Sequence, residues 1–139
     1  MTKTIDIDPE GPRPEINTDK VAAIIMMARE FEAPDTGVEA DASNPIDDGF
    51  TSSLTEKGGE SALRTLLGSI EELDEDEQIE LVALAWTGRG DFDAAGWTDA
   101  VKTARERREG STSRYLANME TLAENLDDGL AVFGMSYTR

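Results

Sequence analysis

The chain has 139 residues, a hydrophobic fraction of 38% and a net charge of −17, with neither cysteine nor histidine. That length suits one domain able to bury roughly two-thirds of its unfolded surface. The charge argues against non-specific contact with nucleic acid or an anionic membrane, both of which repel it. The missing residue types exclude disulfides, thiolate nucleophiles, Cys/His zinc sites and every histidine-based acid–base mechanism.

Residues 1–15 alternate Ile5 and Ile7 with Asp6 and Asp8, then meet Pro9, Gly11, Pro12 and Pro14. An unpaired strand is unstable and proline ends it, so this stretch is expected to be an extended, partly mobile N-terminal arm before a helical domain over 16–137. It has no apolar segment of the kind a signal peptide carries, and the longest fully apolar run, Val21 to Ala28, is far short of a membrane span. The expected compartment is the cytoplasm, with no membrane partner.

Asn17 or Thr18 can cap a first helix whose buried stripe is Val21, Ile24, Ile25, Ala28 and Phe31, closed by Pro34. A long loop follows, rich in turn residues, and loops of that length are commonly functional or disordered. Within it Asn44-Pro45-Ile46-Asp47-Asp48-Gly49-Phe50 is denser than a linker requires. Asn44, Asp47 and Asp48 are candidate interaction residues, with Ile46 and Phe50 available to pin the loop to a core.

A second helix is expected from about residue 59 to 73 on the stripe Leu63, Leu66, Leu67, Ile70 and Leu73. Asp74 and Glu77 form a capping-box pair for a third. There Ile79, Val82, Ala83 and Trp86 share a face that Leu81, Leu84 and Ala85 widen, so cover is expected on more than one side. The acidic run from Glu71 to Glu80 is explained largely by its place at that helix's positive end. The third helix is expected to break at Thr87-Gly88-Arg89-Gly90, and Asp93 to cap a fourth through Trp97, Ala100, Val101 and Ala104. That helix ends in the chain's basic cluster, Lys102, Arg105, Arg107 and Arg108, a favourable position for positive charge. From Thr112 or Ser113 a fifth helix carries the stripe Tyr115, Leu116, Met119, Leu122, Ala123, Leu126, Leu130 and Phe133, and stops at Gly134. The whole reads as an all-α compact bundle of about five helices with one long loop and an extended arm.

The 86–97 turn is the second candidate site. Trp86 and Trp97 flank it, Arg89 and Asp91 project from it, and aromatic anchors beside an arginine are what interaction hot spots are made of. Core packing explains the two tryptophans as well. Asp91, Asp93 and Gly96 fit part of a calcium loop, but Ala95 takes its fifth place and Lys102 its twelfth, where a bidentate carboxylate belongs. No metal is therefore expected. The Gly88-Arg89-Gly90 turn lacks the pattern of a phosphate loop. No cofactor and no catalytic residue is indicated.

Several stretches together resemble a family of small, acidic, helical proteobacterial proteins known as a conserved domain of unknown function. They are Ala28-Arg29-Glu30-Phe31, Ser43 to Gly49, Leu73 to Trp97 with Trp86-Thr87-Gly88-Arg89-Gly90-Asp91, Tyr115-Leu116 to Gly129-Leu130, and Gly134-Met135-Ser136-Tyr137. The resemblance implies a bacterial, cytoplasmic, helical domain and no particular activity.

The leading functional expectation is a non-enzymatic helical module that presents the 44–50 loop and the 86–97 turn to a protein partner. A rival is a small-ligand binder or enzyme using Arg29, Arg89, Asp47, Asp48 or Asp91 around a bundle pocket. A third is an acidic decoy that imitates nucleic acid, against which the Lys102–Arg108 cluster counts. Direct nucleic-acid binding is not expected, since one small cluster would have to overcome the net charge.

Overall fold

A computed structural model describes residues 11–33 and 59–135. The Asn44, Asp47 and Asp48 loop, Pro34 and most of the N-terminal arm lie outside these residues. The described chain holds six α-helices and no strand: α1 (Thr18–Glu32), α2 (Glu60–Glu71), α3 (Glu75–Arg89), α4 (Trp97–Glu106), α5 (Thr112–Ala117) and α6 (Leu122–Val132), with a 3-10 turn, Ala94–Gly96, leading into α4. The all-α bundle is as the periodicity predicts, with one helix more than expected.

Local chemistry sets most boundaries. Asn17 caps α1, its side-chain oxygen accepting from the N–H groups of Asp19 and Lys20. The capping box at α3 is complete: Asp74 Oδ1 accepts from Glu77 N at 2.8 Å, and Glu77 Oε1 accepts from Asp74 N at 3.0 Å. Gly90 stops α3 in the left-handed region at φ 101°. Its N–H and that of Asp91 donate to the carbonyls of Thr87 and Trp86, closing the last turn.

Helix α3 is the centre of the molecule. Every residue from Leu81 to Thr87 is buried, because α6 covers one side and α4 another. Helix α1 packs on α6 and α2, and α2 packs on α5. A helix enclosed in this way gains little from an amphipathic pattern, which is why its apolar residues run around the axis.

Four expectations are corrected. The break expected over 87–90 comes only at its last residue, Gly90, and α3 runs through Thr87 and Gly88 to Arg89. A Cβ at Gly88 would overlap the Asn125 carbonyl oxygen and stand 2.7 Å from Gly129 N, so the missing side chain is what lets α6 lie against α3. Gly129 does the same from the other side, where a Cβ would run into the Leu84 carbonyl. Second, the long last helix is two. The first part, α5, starts at Thr112 as expected, capped by Ser111, whose side chain accepts from Arg114 N, but the chain turns at 118–121 before α6. The break lets α5 follow α2 while α6 crosses α1 and α3, a geometry one straight helix cannot satisfy. Third, Tyr115 is no core residue: it is 44% exposed. Asp93 also caps the 3-10 turn rather than α4 itself, accepting from Gly96 N at 2.9 Å.

The end of the N-terminal lead-in is held to α3. Pro14 and Ile16 are buried, and Glu80 Oε1 accepts from both Glu15 N and Ile16 N at 2.8 Å. Burial pushes the half-buried Glu80 carboxyl above its ordinary value of 4.5, and the two backbone donors only partly offset this. A carboxyl raised on folding makes its most favourable contribution below about pH 4.5, and loses it as pH rises through the raised value. Glu80→Gln keeps an acceptor oxygen and removes the charge. The variant is expected to be at least as stable as wild type at pH 7, with its advantage shrinking toward pH 4, in urea unfolding across that range. A variant less stable at pH 7 would show that the ionised carboxylate is a net anchor.

Candidate functional site

The 86–97 turn is largely occupied with itself. Arg89 Nη2 and Nε reach one oxygen of Asp91, at 2.6 and 3.0 Å, in a half-exposed ion pair. That carboxylate is the main reason the Arg89 guanidinium is held above its ordinary value; the Tyr115 hydroxyl beside it adds to the effect. Trp86 is buried and stacks on Phe92, with ring centroids 6.0 Å apart. Trp97 is buried edge-on against Phe133 at 5.3 Å. The turn therefore exposes Arg89 and Asp91, while both tryptophans face the core.

Of the predicted site residues, Arg89 and Asp91 are brought together, and Trp86 and Trp97 line two different concavities. Asn44, Asp47 and Asp48 fall outside the described residues. Arg29 pairs with Asp127 across α1 and α6 at 2.9 Å. Neither concavity is lined by Arg29, Arg89 or Asp91. Among the described residues no cluster of carboxylates could hold a metal ion, and no helix is long and apolar enough to cross a membrane.

The better-formed concavity is a cleft of about 570 Å³ between α3, the end of α4 and the start of α5. Ile79, Val82, Trp86 and Ala104 supply its apolar lining, and Glu106, Arg107, Arg108, Glu109, Thr112 and Tyr115 the rest. Its position follows from sequence. The buried stripe of α4, Trp97, Ala100 and Ala104, would continue at residues 107 and 108, where arginines stand instead. The helix ends there, and the apolar face of α3 beneath is left open.

The two arginines differ in employment. Arg108 is spent on architecture: Nε donates to Thr112 Oγ1 at 3.2 Å, Nη2 to Gln78 Oε1 at 3.2 Å, and Nη1 pairs with Glu75 at 3.3 Å. It ties the end of α4 to the starts of α3 and α5. Arg107 is exposed, and its guanidinium has no hydrogen-bonded or ionic partner among the described residues. Elsewhere in the lining the Tyr115 hydroxyl oxygen accepts from the Trp86 indole N–H at 2.8 Å, which leaves its own proton free to donate.

Sequence reading missed Arg107 and Tyr115. The arginine looked like one more charge favourable to a helix C-terminus, and the tyrosine lay in register with a buried stripe. The available signal was the basic pair on the continuation of an apolar face.

No curated protein matches this chain, and no solved structure does. One family model matches residues 63–135, just over half of the chain, and carries the description "Protein of unknown function (DUF3775)". The match runs from α2 to the end of α6 and takes in Trp86, Arg89, Asp91, Trp97 and the whole α3–α4–α5 cleft. By that match the chain belongs to the DUF3775 family, a family of proteins of unknown function.

Proposed function

We propose that this chain is a non-enzymatic helical interaction module of a bacterial cytoplasm, and that it docks a protein partner in the α3–α4–α5 cleft. One observation carries the reading. The cleft joins an apolar floor to an exposed tyrosine and to an arginine without an acidic partner among the described residues. Tyrosine and arginine around a desolvated floor are the usual composition of a binding hot spot. Arg89 lies beside the Tyr115 hydroxyl without lining the cleft, and the Asn44, Asp47 and Asp48 loop is proposed as a second contact.

Catalysis is supported less well. The Thr112 hydroxyl oxygen accepts from Arg108 and is 7% exposed, and without histidine or cysteine the chain lacks the usual means of activating it. An acidic decoy is also supported less well, since Arg105 and Arg108 pair with Asp76 and Glu75 and neutralise part of the acidic run.

The test is selection of a random displayed-peptide library on the immobilised full chain, followed by affinity measurement on Tyr115→Ala, Arg107→Ala, Arg89→Ala/Asp91→Ala and Asp47→Ala/Asp48→Ala variants. Enriched peptides are expected to lose about tenfold or more in affinity on the two cleft variants. The turn and loop variants then report whether those two stretches contribute. No enrichment, or binders indifferent to Tyr115 and Arg107, would overturn the reading.

A further inference from the structure

The apolar lining of the cleft meets little water. Ile79, Val82, Trp86 and Ala104 are each between 1% and 8% exposed. A partner that docks on them, as the reading above has it, must therefore displace something first. Helix α3 cannot give way, being the enclosed centre of the molecule. The start of α5 is fixed as well, since Thr112 and Ser113 are buried and Ser113 Oγ donates to Glu71 on α2 at 2.8 Å.

The segment between Ala104 and Thr112 is different. Residues 105–111 read Arg-Glu-Arg-Arg-Glu-Gly-Ser, all exposed and without one apolar side chain, so no hydrophobic burial holds them down. Four of them, Glu106 to Glu109, line the cleft. The polar ties are few. Arg105 pairs with Asp76 at 3.3 Å, and Arg108 reaches Glu75, Gln78 and Thr112 at 3.2–3.3 Å. Ion pairs this exposed contribute little to stability. The chain reverses at Gly110 in the left-handed region, φ 67°, and a Cβ there would meet nothing within 4 Å. Few buried contacts, exposed ties and free space at the turn are the marks of a segment that opens locally while the core stays folded.

We infer that residues 105–111 form a lid over the α3 floor, hinged between the buried anchors Ala104 and Thr112 and latched by Arg108, and that a partner docks by displacing it. Arg108 suits the latch because its three contacts fall on α3 and on the first residue of α5, so that one side chain ties the lid both to the floor and to its own far hinge. The closed lid keeps the floor from unintended apolar partners, and the docking partner binds in proportion to the open fraction.

The test exploits the absence of cysteine from the chain. Val82→Cys places a single thiol on the floor, and Val21→Cys places one in the buried stripe of α1 as the control. Each is labelled in the full chain with a neutral dipyridyl disulfide, with and without Arg108→Met, which keeps a long side chain and removes its donors. Arg108→Met is expected to speed labelling of the Val82→Cys thiol about fivefold or more, the scale of losing hydrogen bonds to a charged group at a partly exposed site. The Val21→Cys thiol should be unaffected. Equal acceleration of both thiols would mean that the whole molecule loosens, and no acceleration on the floor would mean that Arg108 latches nothing. Either result overturns the lid. A peptide enriched in the library selection, added to the Val82→Cys chain, is then expected to slow labelling severalfold. A bound peptide that leaves the rate unchanged would overturn docking beneath the lid. An empty selection would remove the docking reading, while the labelling rates judge the lid without any peptide.

Discussion

Gly88→Ala is expected to cost about 3 kcal/mol or more of unfolding stability, a large share of the roughly 5–15 kcal/mol that holds a domain of this size together. The new methyl group would overlap the Asn125 carbonyl oxygen and lie 2.7 Å from both the Asn125 carbonyl carbon and Gly129 N. These are backbone atoms and cannot rotate away. Relief requires α3 and α6 to separate, which opens the packing of Leu81, Leu84, Leu126 and Leu130, all at most 1% exposed. Gly129→Ala is expected to act in the same direction, somewhat less strongly, because part of what its methyl meets is the Leu84 side chain, at 3.0 and 3.1 Å. The two effects should not add, since either substitution already forces the same crossing apart. Gly68→Ala on α2 is the control. A Cβ there meets nothing within 4 Å, so replacing a helical glycine should stabilise by up to about 1 kcal/mol. Urea unfolding of the three variants is the measurement. A Gly88→Ala loss below about 1 kcal/mol would mean that the helices do not approach as closely as described.

Trp97→Ala is expected to cost about 3–5 kcal/mol, as truncation of a fully packed aromatic does. Trp97 is 4% exposed and meets the Phe133 ring edge-on at 5.3 Å. The substitution removes that pair and leaves a cavity where the start of α4 meets the end of α6. Trp97→Phe should retain much of the packing and lose appreciably less. Tyr115→Ala, by contrast, removes a side chain that is 44% exposed together with the acceptor of the Trp86 indole N–H, and is expected to cost about 1–2 kcal/mol. The comparison matters for binding experiments. A Trp97 variant that fails to bind has most simply failed to fold, whereas a Tyr115 variant that fails to bind has lost a contact. Thermal and urea unfolding decide between them. A Trp97→Ala variant as stable as wild type would return this residue to the surface and to the candidate interaction site.

Much of the fold was legible in the sequence, and the reason is locality. The Asp74–Glu77 capping box involves residues three apart, and its two hydrogen bonds form as the sequence suggests. The stripes Val21, Ile24, Ile25, Ala28, Phe31 and Leu63, Leu66, Ile70 are buried because a helix of that period must turn them to one side. The breadth of the apolar surface on α3 announced that more than one neighbour would cover it. The split of the last helix was not legible. Leu116, Met119, Leu122 and Ala123 keep a helical spacing straight across the turn at 118–121, and all four are buried. What divides them is that α5 answers to α2 and α6 to α1 and α3.

The candidate site was less legible for the same reason. The pattern around Gly88-Arg89-Gly90-Asp91 drew attention to a turn whose charges neutralise each other and whose tryptophans point inward. Arg107 and Tyr115 carried no motif. Their interest comes from sharing one cleft over the floor made by Ile79 and Val82, which lie about a quarter of the chain earlier.

By itself, then, the sequence determined where helices start, which faces they bury, and which chemistries are closed to a chain without histidine or cysteine. Hydrogen bonds between residues three and four apart, side-chain caps and the helical period operate within a few residues, so sequence is enough to read them. The tertiary structure decided what the two helical glycines are for, where the C-terminal stripe divides, and which arginine is spent on architecture and which left open. Those outcomes depend on which backbone or carboxylate arrives from another helix, and packing between distant segments, not local pattern, sets that.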